Sequence, residues 1–516
     1  MNGADVLCET LLLNGIDVCF ANPGTSEMHF VAALDRQPKI RCVLGLFEGV
    51  VTGAADGFAR MTDRPAATLL HLGPGLANGL ANLHNARRAF SPMVNVVGDH
   101  ATQHLAYDAP LTSDIESLAR PMSGWIGRAQ SADDVGRQTA RAITEANRAP
   151  GAISTLILPA DAAWGEVHSK VPSRATRIPA DHPDPDKIRE AAEALRGGKN
   201  TTILVSGTSL RAENLKVLSQ IAAMTGSRLM AQQSNSRMQR GAGRVVVDRV
   251  PFAIDKAIET FAETEQIILI GAKAPVGFFA YPGKPSSMLP PACIVLDMAP
   301  NHQDLTSAIN LLADEIGLSV KSNAIVAMRE KPPMSRGALT PEAISIALAH
   351  HMPENSIICD ESVSSGRDFF RHTYGAEPHD FLQLTGGSIG IGLPLAVGAA
   401  IACPDRKVIT LQADGSGMYT VQALWTQARE RLDILTIVYA NQCYNILHGE
   451  LKQVGAGVAG VNASRMLDLV DPTLDWVGIA NGMGVEAVRV DTVEGFESAL
   501  KAACQQHGPF LIEAMI

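Results

Sequence analysis

Short runs of aliphatic and β-branched residues recur along the chain and constrain its fold more than any other feature. Most are followed by a longer stretch with the apolar spacing of an amphipathic helix. The clearest runs lie at residues 18–20, 65–70, 93–97, 202–205, 267–270, 293–296, 408–411, 435–439 and 510–513. Short apolar strands that alternate with helices are typical of parallel sheets buried on both faces. The sequence therefore predicts an α/β fold.

Two proline-rich stretches, residues 172–186 and 331–341, divide the chain of 516 residues. Prolines mixed with short polar residues favour linkers, because proline lacks the backbone donor that regular structure needs. The three remaining segments have the usual size of domains. We predict domains at residues 1–168, 186–330 and 338–516, each built on a doubly wound parallel sheet.

Composition excludes several classes of protein. The formal net charge is −10 and the lysines and arginines are scattered, which argues against a nucleic-acid or membrane partner. Eight cysteines at irregular spacing, without a C-x-x-C pair, disfavour a zinc site or a disulfide framework and fit a reducing compartment. The N-terminus has no basic, apolar leader, and no apolar run is long enough to span a bilayer. We expect a soluble, cytoplasmic protein.

Polar residues follow two neighbouring predicted strands of the last segment. Asp414 comes soon after the run at residues 408–411, and Asn441 follows the next run, 27 residues after Asp414. A strand, a helix and a strand of this length bring both tips together at the edge of the sheet where ligands bind. Oxygen donors there suit Mg²⁺ that also holds a diphosphate. Gly415 would let the backbone approach the phosphates, and Ser416 adds a donor. The alternative is an ordinary Asp-Gly turn with a capping Asn.

This motif resembles that of the thiamine-diphosphate family that includes acetolactate synthase, pyruvate decarboxylase and benzoylformate decarboxylase. The family motif usually begins Gly-Asp-Gly and ends Asn-Asn, and here Ala413 and Ala440 replace its first Gly and first Asn. The resemblance covers the whole chain. Residues 419–429 and 508–513 look most like benzoylformate decarboxylase, and the chain is similar to members named acetolactate synthase large-subunit-like. The resemblance implies pyrimidine-binding, central and diphosphate-binding domains, in that order.

The resemblance also implies ligands for Mg²⁺ or another divalent ion. These are Asp414, Asn441 and the carbonyl of Cys443, and neither alanine replaces a side-chain ligand. Ser364 and Tyr444 are further candidates for contacts with thiamine diphosphate.

Glu48 is the predicted acid that shares a proton with the pyrimidine ring of the cofactor, whose own chemistry supplies the reactive carbanion. The family pattern of a Glu followed eight residues later by an Asp matches Glu48 and Asp56. A Glu on a helix surface is the alternative, which the surrounding apolar run disfavours. The Gly-rich run at residues 386–394 resembles the family segment that lies beneath the bent cofactor. Alignment with that segment implies that Ile389 supports the bend and that the Gly387 carbonyl accepts a hydrogen bond from the amino group of the cofactor.

That glycine run has only a superficial likeness to a dinucleotide-binding fingerprint. Its spacing is G-x-x-G-x-G rather than G-x-G-x-x-G, and no acidic residue follows at the right distance. A nicotinamide oxidoreductase is therefore disfavoured. The central segment of the family sometimes binds FAD. The short turns at residues 206–209 and 271–274 allow a flavin but favour ordinary strand–helix connections.

The substrate side departs from each known activity. The resemblance assigns Thr25 to the substrate carboxylate and His71 to proton transfer, although a lone His is often structural. The second active-site histidine of benzoylformate decarboxylase, near residues 275–281, is missing. Pyruvate decarboxylases have a glutamate where this chain has Leu447, and their His-His pair is absent, although His100 and His104 lie in a comparable loop. Acetolactate synthases have a lysine after the proline that ends the first domain, where this chain has Ala160.

These features together predict an enzyme that decarboxylates a 2-oxo acid, with or without ligation to a second carbonyl compound. The family arrangement, in which two subunits complete each site, implies a homodimer or a dimer of dimers, up to a homotetramer. Two alternatives stay open at this point. The first is carbon–carbon bond cleavage or ligation without decarboxylation, and the second is a catalytically silent homologue, against which the presence of Glu48 argues.

Overall fold

The computed structural model describes residues 1–168, 172–318 and 323–516. The strands in these ranges form three sheets of six, five and seven strands. Helices cover the sheets, and most of the apolar runs predicted as strands are buried within them. The run at residues 293–296 is an exception to the predicted burial on both faces, because it lies on the edge strand of the central sheet, where Ile294 and Val295 are exposed. The chain therefore has the three α/β domains that its sequence predicts. Every helix within the described ranges falls short of the length and apolar character that crossing a bilayer requires.

The first sheet is parallel throughout, in the order β2-β1-β3-β4-β6-β5. Its strands are β1 (Val18–Asn22), β2 (Arg41–Leu44), β3 (Ala66–Leu70), β4 (Met93–Asp99), β5 (Trp125–Arg128) and β6 (Ile153–Pro159). The helices of this domain are α1 (Gly3–Leu13), α2 (Met28–Asp35), α3 (Glu48–Thr62), α4 (Leu72–Ala89), α5 (Ile115–Ala119), α6 (Val135–Ala146) and α7 (Ala160–Trp164).

The central sheet is also parallel, in the order β10-β8-β7-β11-β12. The strands of the central segment are β7 (Thr201–Val205), β8 (Arg228–Ala231), β9 (Met238–Arg240), β10 (Asp248–Arg249), β11 (Gln266–Ile270) and β12 (Ile294–Ala299). Its helices are α8 (Pro185–Arg196), α9 (Ala212–Thr225), α10 (Ile254–Phe261) and α11 (Leu305–Glu315). The helix α8 begins one residue before the predicted boundary at residue 186.

The third sheet has the order β17-β18-β16-β15-β13-β14-β9. Its own strands are β13 (Ile357–Glu361), β14 (His379–Gln383), β15 (Val408–Ala413), β16 (Ile434–Ala440), β17 (Glu486–Val490) and β18 (Phe510–Met515). Its helices are α12 (Pro341–His351), α13 (Phe369–His372), α14 (Gly392–Ala402), α15 (Asp414–Gly417), α16 (Ala423–Arg429), α17 (Asn445–Gln453), α18 (Val461–Leu467), α19 (Trp476–Gly482) and α20 (Val493–Gln505).

The strand β9 departs from the predicted all-parallel pattern, because it leaves the central segment and pairs antiparallel with β14. Its last residue, Arg240, is buried and lies 3.8 Å from the ring centroid of Phe370. Burial lowers the pKa of Arg240 to about 9. The guanidinium donates hydrogen bonds to Thr373 Oγ1 (2.7 Å) and to the Phe370 carbonyl (2.6 Å). These contacts attach the central segment to the third domain.

The first and third domains meet where α3 packs against α14, and both helices are buried over almost their whole length. A side chain at Gly398 would collide with the carbonyl of Ala54, so the glycine lets the two backbones come together. On α3, Arg60 forms a buried ion pair with Asp56 (2.6 Å) and donates to the carbonyl of Gln383 (2.6 Å). A buried pair whose hydrogen bonds are satisfied is expensive to break on one side, by about 3–5 kcal/mol. This contact therefore fixes the first domain against the third.

Candidate active site

The carboxyl edge of the third sheet holds the predicted metal ligands. Asp414 follows β15 and is buried, with Oδ2 accepting the backbone N–H of Gln442 (2.7 Å) and Oδ1 that of Gly415 (2.8 Å). Burial raises the pKa of the Asp414 carboxyl. Asn441 follows β16, and β15 and β16 are neighbours, so the two tips lie side by side as the 27-residue spacing predicts.

The turn after β16 is held by its own side chains. Asn441 Oδ1 accepts the N–H of Cys443 (3.1 Å), and Asn441 Nδ2 contacts Ser365 Oγ at 3.4 Å. Gln442, between Asn441 and Cys443, has φ +56°. An amide oxygen has two lone pairs, so the Cys443 N–H leaves Asn441 Oδ1 one further site for a ligand.

Gly415 follows Asp414 and lies against the ring of Tyr444. A Cβ placed on Gly415 would lie 2.5 Å from that ring, so only glycine lets this backbone come so close to it. Ser416 Oγ accepts a hydrogen bond from Gln412 Nε2 (2.9 Å) and donates to the carbonyl of Ala413 (3.2 Å). The predicted contacts Gly415, Ser416 and Tyr444 are therefore brought together.

The tip of β13 adds a second buried carboxylate, which sequence reasoning missed. Glu361 accepts the N–H groups of Gly390 (2.5 Å), Ile391 (3.2 Å) and Gly392 (2.8 Å), and it also accepts from Gln412 Nε2 (3.0 Å). Burial raises its pKa in spite of these bonds. Glu361 thus joins the start of α14 to β15, the strand that Asp414 follows. No local pattern in the sequence indicates this contact, because the partners are backbone groups about 30 residues away.

Ser364 lies just beyond, half-buried, in the turn after β13. The residue before it, Val363, has φ +52°, a left-handed conformation that is strained for a β-branched side chain. Gln442 and Leu72, at φ +56° and +48°, have the same conformation beside the candidate residues Asn441 and His71. Strained backbone of this kind clusters at functional sites, where the surrounding structure holds it in place.

Glu48 is the first residue of α3 and lies in the first domain. It is only 7% exposed, which is the buried setting that its sequence context predicts. Asn78 Nδ2 donates to its Oε2 (3.0 Å). A Cβ on Gly75 would come within 2.9 Å of its Oε1, so the glycine leaves space on that side of the carboxylate. The carboxyl is therefore fixed at a helix terminus, where its orientation is defined.

His71 is held by a carboxylate that sequence reasoning also missed. Its Nδ1 lies 2.8 Å from Glu27 Oε2, and Glu27 is buried at the end of the turn that begins with Thr25. Glu27 Oε2 also accepts the N–H of Gly24 (2.8 Å). Thr25 itself is exposed beside this pair. The structure therefore brings His71 and the Thr25 turn together at the carboxyl edge of the first sheet.

The donor set at Asp414 fits a hard divalent cation. Within the described residues, no group of three or more His, Cys, Asp and Glu side chains is placed to hold a metal ion. The predicted metal site does not depend on such a group of side chains, because its ligands are one carboxylate, one amide oxygen and the Cys443 carbonyl. Oxygen ligands with one carboxylate are the arrangement by which Mg²⁺ is held together with phosphates.

Comparisons with known proteins agree with this geometry. Residues 1–118 match the model of the thiamine pyrophosphate enzyme N-terminal TPP binding domain, and residues 364–514 match that of the C-terminal TPP binding domain. The chain belongs to the thiamine pyrophosphate enzyme family. All the predicted site residues lie inside these two matched segments.

Relatives within the thiamine pyrophosphate enzyme family extend over the whole chain. A Mycobacterium tuberculosis protein, provisionally named acetolactate synthase large subunit IlvX, is 48% identical over 520 residues, covering 100% of this chain and 99% of its own. Benzoylformate decarboxylase of Pseudomonas aeruginosa is 31% identical, covering 98% of this chain and 97% of its own.

The fold also matches that of a solved structure. The Rhodococcus jostii 4-hydroxybenzoylformate decarboxylase superposes with a TM-score of 0.86 at 24% identity, covering 99% of this chain and 98% of its own. The two family models and the two relatives together show that the chain is a thiamine-pyrophosphate-dependent enzyme of the acetolactate synthase and benzoylformate decarboxylase type.

A substitution at Gly24, which lies against the His71 ring, tests the geometry of the Glu27–His71 pair. A Cβ on Gly24 would collide with the His71 ring, so we expect Gly24→Ala to move the imidazole away from Glu27. Displacing a proton-transfer group by about 1 Å costs roughly 10²-fold in rate. Steady-state kcat and KM should show the loss in kcat, with cofactor affinity unchanged. Gly482→Ala, at an exposed glycine at the end of α19 with no atom within 4 Å of the added Cβ, is the matched control. Wild-type kcat in Gly24→Ala would show that the pair is not needed.

Proposed function

We propose that this enzyme removes CO₂ from a 2-oxo acid and transfers the remaining acyl group to a proton or to a second carbonyl compound. The observation that carries the proposal is the pairing of two sites on one chain. One is the buried carboxylate of Glu48 at the start of α3, and the other is the oxygen-lined edge at Asp414 and Asn441.

The residues at the carboxyl edge of the third sheet would divide between the metal ion and the diphosphate. Asp414, Asn441 and the Cys443 carbonyl would hold Mg²⁺, and Gly415, Ser416, Ser364 and Tyr444 would surround the diphosphate. Bound thiamine diphosphate supplies a nucleophilic carbon.

The remaining residues act on the pyrimidine side and on the substrate. Glu48 would share a proton with the pyrimidine ring, while the Gly387 carbonyl would accept its amino group and Ile389 would support the bent shape.

On the substrate side, Thr25 would contact the carboxylate. His71, oriented by Glu27 through Nδ1, would move protons at its other nitrogen. Benzoylformate decarboxylase among the relatives supports decarboxylation, and the acetolactate synthase names support transfer to a second carbonyl. Lyase and transferase activity differ only in what accepts the acyl group.

We further propose that the protein works in the cytoplasm as a homodimer or a dimer of dimers. The cysteine pattern supports a reducing compartment. Sedimentation of the purified protein would distinguish the two assemblies.

Exchange of the C2 proton of bound thiamine diphosphate, measured by NMR with saturating Mg²⁺, tests the proposal. We expect exchange at least about 10²-fold faster than in the free cofactor, in line with general acid–base assistance. Release of CO₂ from a panel of 2-oxo acids should accompany it. Fast exchange without CO₂ release would favour carbon–carbon bond chemistry without decarboxylation. Exchange no faster than in free cofactor would indicate a silent homologue.

A further inference from the structure

One face of α4 carries three asparagines that run from Glu48 to the loop of residues 385–390. They are Asn78, Asn82 and Asn85, and their spacing of four and three residues places them on the same side of the helix. Asn82 and Asn85 are 1% and 0% exposed. Buried amides persist only where their hydrogen bonds are made, so their partners define what they do.

The first two asparagines contact the start of α3. Asn78 Nδ2 donates to Glu48 Oε2 (3.0 Å). Asn82 Nδ2 donates both to the Gly49 carbonyl (2.8 Å) and to the Gly390 carbonyl (3.0 Å). A single buried amide therefore holds the residue that follows Glu48 and the residue that follows Ile389.

Asn85 forms hydrogen bonds with the other half of the loop. Its Nδ2 donates to Asn82 Oδ1 (3.0 Å) and to the Ser388 carbonyl (2.7 Å). Its Oδ1 accepts the N–H groups of Gly386 (3.2 Å) and Ser388 (3.3 Å). This uses both donors and both lone pairs of the amide. The bonds bracket Gly387, which is exposed and has φ +77°.

We propose that Asn82 and Asn85 are positioning residues for the reaction, setting the Gly387 carbonyl and Ile389 against the cofactor. The inference rests on the proposed function. Gly387 has no side chain of its own to fix a left-handed backbone, and Glu361 holds only the far end of the loop, from Gly390 to Gly392. The hydrogen bonds on either side of Gly387 therefore come from the first domain, through the same helix that contacts Glu48.

The test compares C2-proton exchange at saturating thiamine diphosphate and Mg²⁺ in wild type, Asn82→Ala and Asn85→Ala. Misplacing the loop by about 1 Å should slow exchange by roughly 10- to 100-fold. Asn85→Asp keeps the acceptor for Gly386 and Ser388 but turns a carboxylate oxygen toward Asn82 Oδ1 and the Ser388 carbonyl, so it should slow exchange at least as much as Asn85→Ala.

Asn95→Ala is the matched control. Asn95 is equally buried in the first domain, but its amide bonds Thr68 and Thr155 within the sheet. We expect it to lower the melting temperature as much as Asn85→Ala while exchange stays within about twofold of wild type.

Exchange at the wild-type rate in Asn82→Ala and Asn85→Ala would overturn the inference, as would equal slowing in Asn95→Ala. If Asn85→Ala does not fold, Asn82→Ala and Asn85→Asp decide the question by the same rates. Slow exchange in the wild type would instead contradict the proposed function, and this inference with it.

Discussion

Glu48→Gln is expected to slow C2-proton exchange of bound thiamine diphosphate by about 10²- to 10⁴-fold, the usual size of a general acid–base contribution. The amide keeps the shape of the side chain and can still accept from Asn78, but it cannot share a proton with the pyrimidine. Cofactor affinity should change little, since the diphosphate and metal contacts lie on the third domain. NMR exchange at saturating cofactor, with titration of cofactor binding, separates the two effects.

Glu513→Gln is the matched control for this substitution. Glu513 is also buried, but it lies on β18 and bonds Arg489 (3.0 Å) rather than α3 or α4. It should affect stability and leave exchange unchanged. A Glu48→Gln enzyme that exchanges at the wild-type rate would assign pyrimidine activation to another group.

Asp414→Asn is expected to weaken binding of thiamine diphosphate at fixed Mg²⁺ by about 100-fold or more. Loss of an outer-shell partner of a metal site already costs about 10- to 100-fold, and a direct charged ligand should cost at least as much. The amide also turns an N–H group toward one of the backbone N–H groups that Asp414 now accepts, from Gly415 and Gln442. Calorimetric titration of the cofactor over a series of Mg²⁺ concentrations measures the loss.

Asp405→Asn is the matched control, because Asp405 lies at the other end of β15. Asp405 is exposed and precedes β15, whereas Asp414 follows it, so the two carboxylates lie at opposite ends of one strand. The control should bind cofactor as the wild type does. Asp414→Asn with unchanged, Mg²⁺-dependent affinity would move the metal site away from this edge.

Local patterns predicted the parts of this protein that depend on local sequence. The alternation of apolar runs and amphipathic stretches predicted the three parallel sheets, because burial on both faces leaves a continuous apolar signature. The spacing of Asp414 and Asn441 predicted neighbouring strand tips because one strand–helix–strand unit has a nearly fixed length. The buried position of Glu48 followed from the apolar residues around it.

Contacts across long sequence separations were not predictable in this way. Glu27 and His71 are 44 residues apart and meet only because β1 and β3 are neighbours in the folded sheet. The left-handed backbone at Leu72 and Val363 has no signature either, since neither residue type favours that conformation. Such features come from tertiary packing, which overrides local preference.

The strand β9 has a consequence for how the chain can be divided and folded. It occupies the outer edge of the third sheet, beside β14, where unpaired backbone groups would otherwise invite pairing with other chains. Synthesis delivers residues 238–240 before β14, so the protecting strand is available when the edge forms. A polypeptide that begins at residue 338 would lack that protection and should self-associate through β14, even though its own strands and helices are intact.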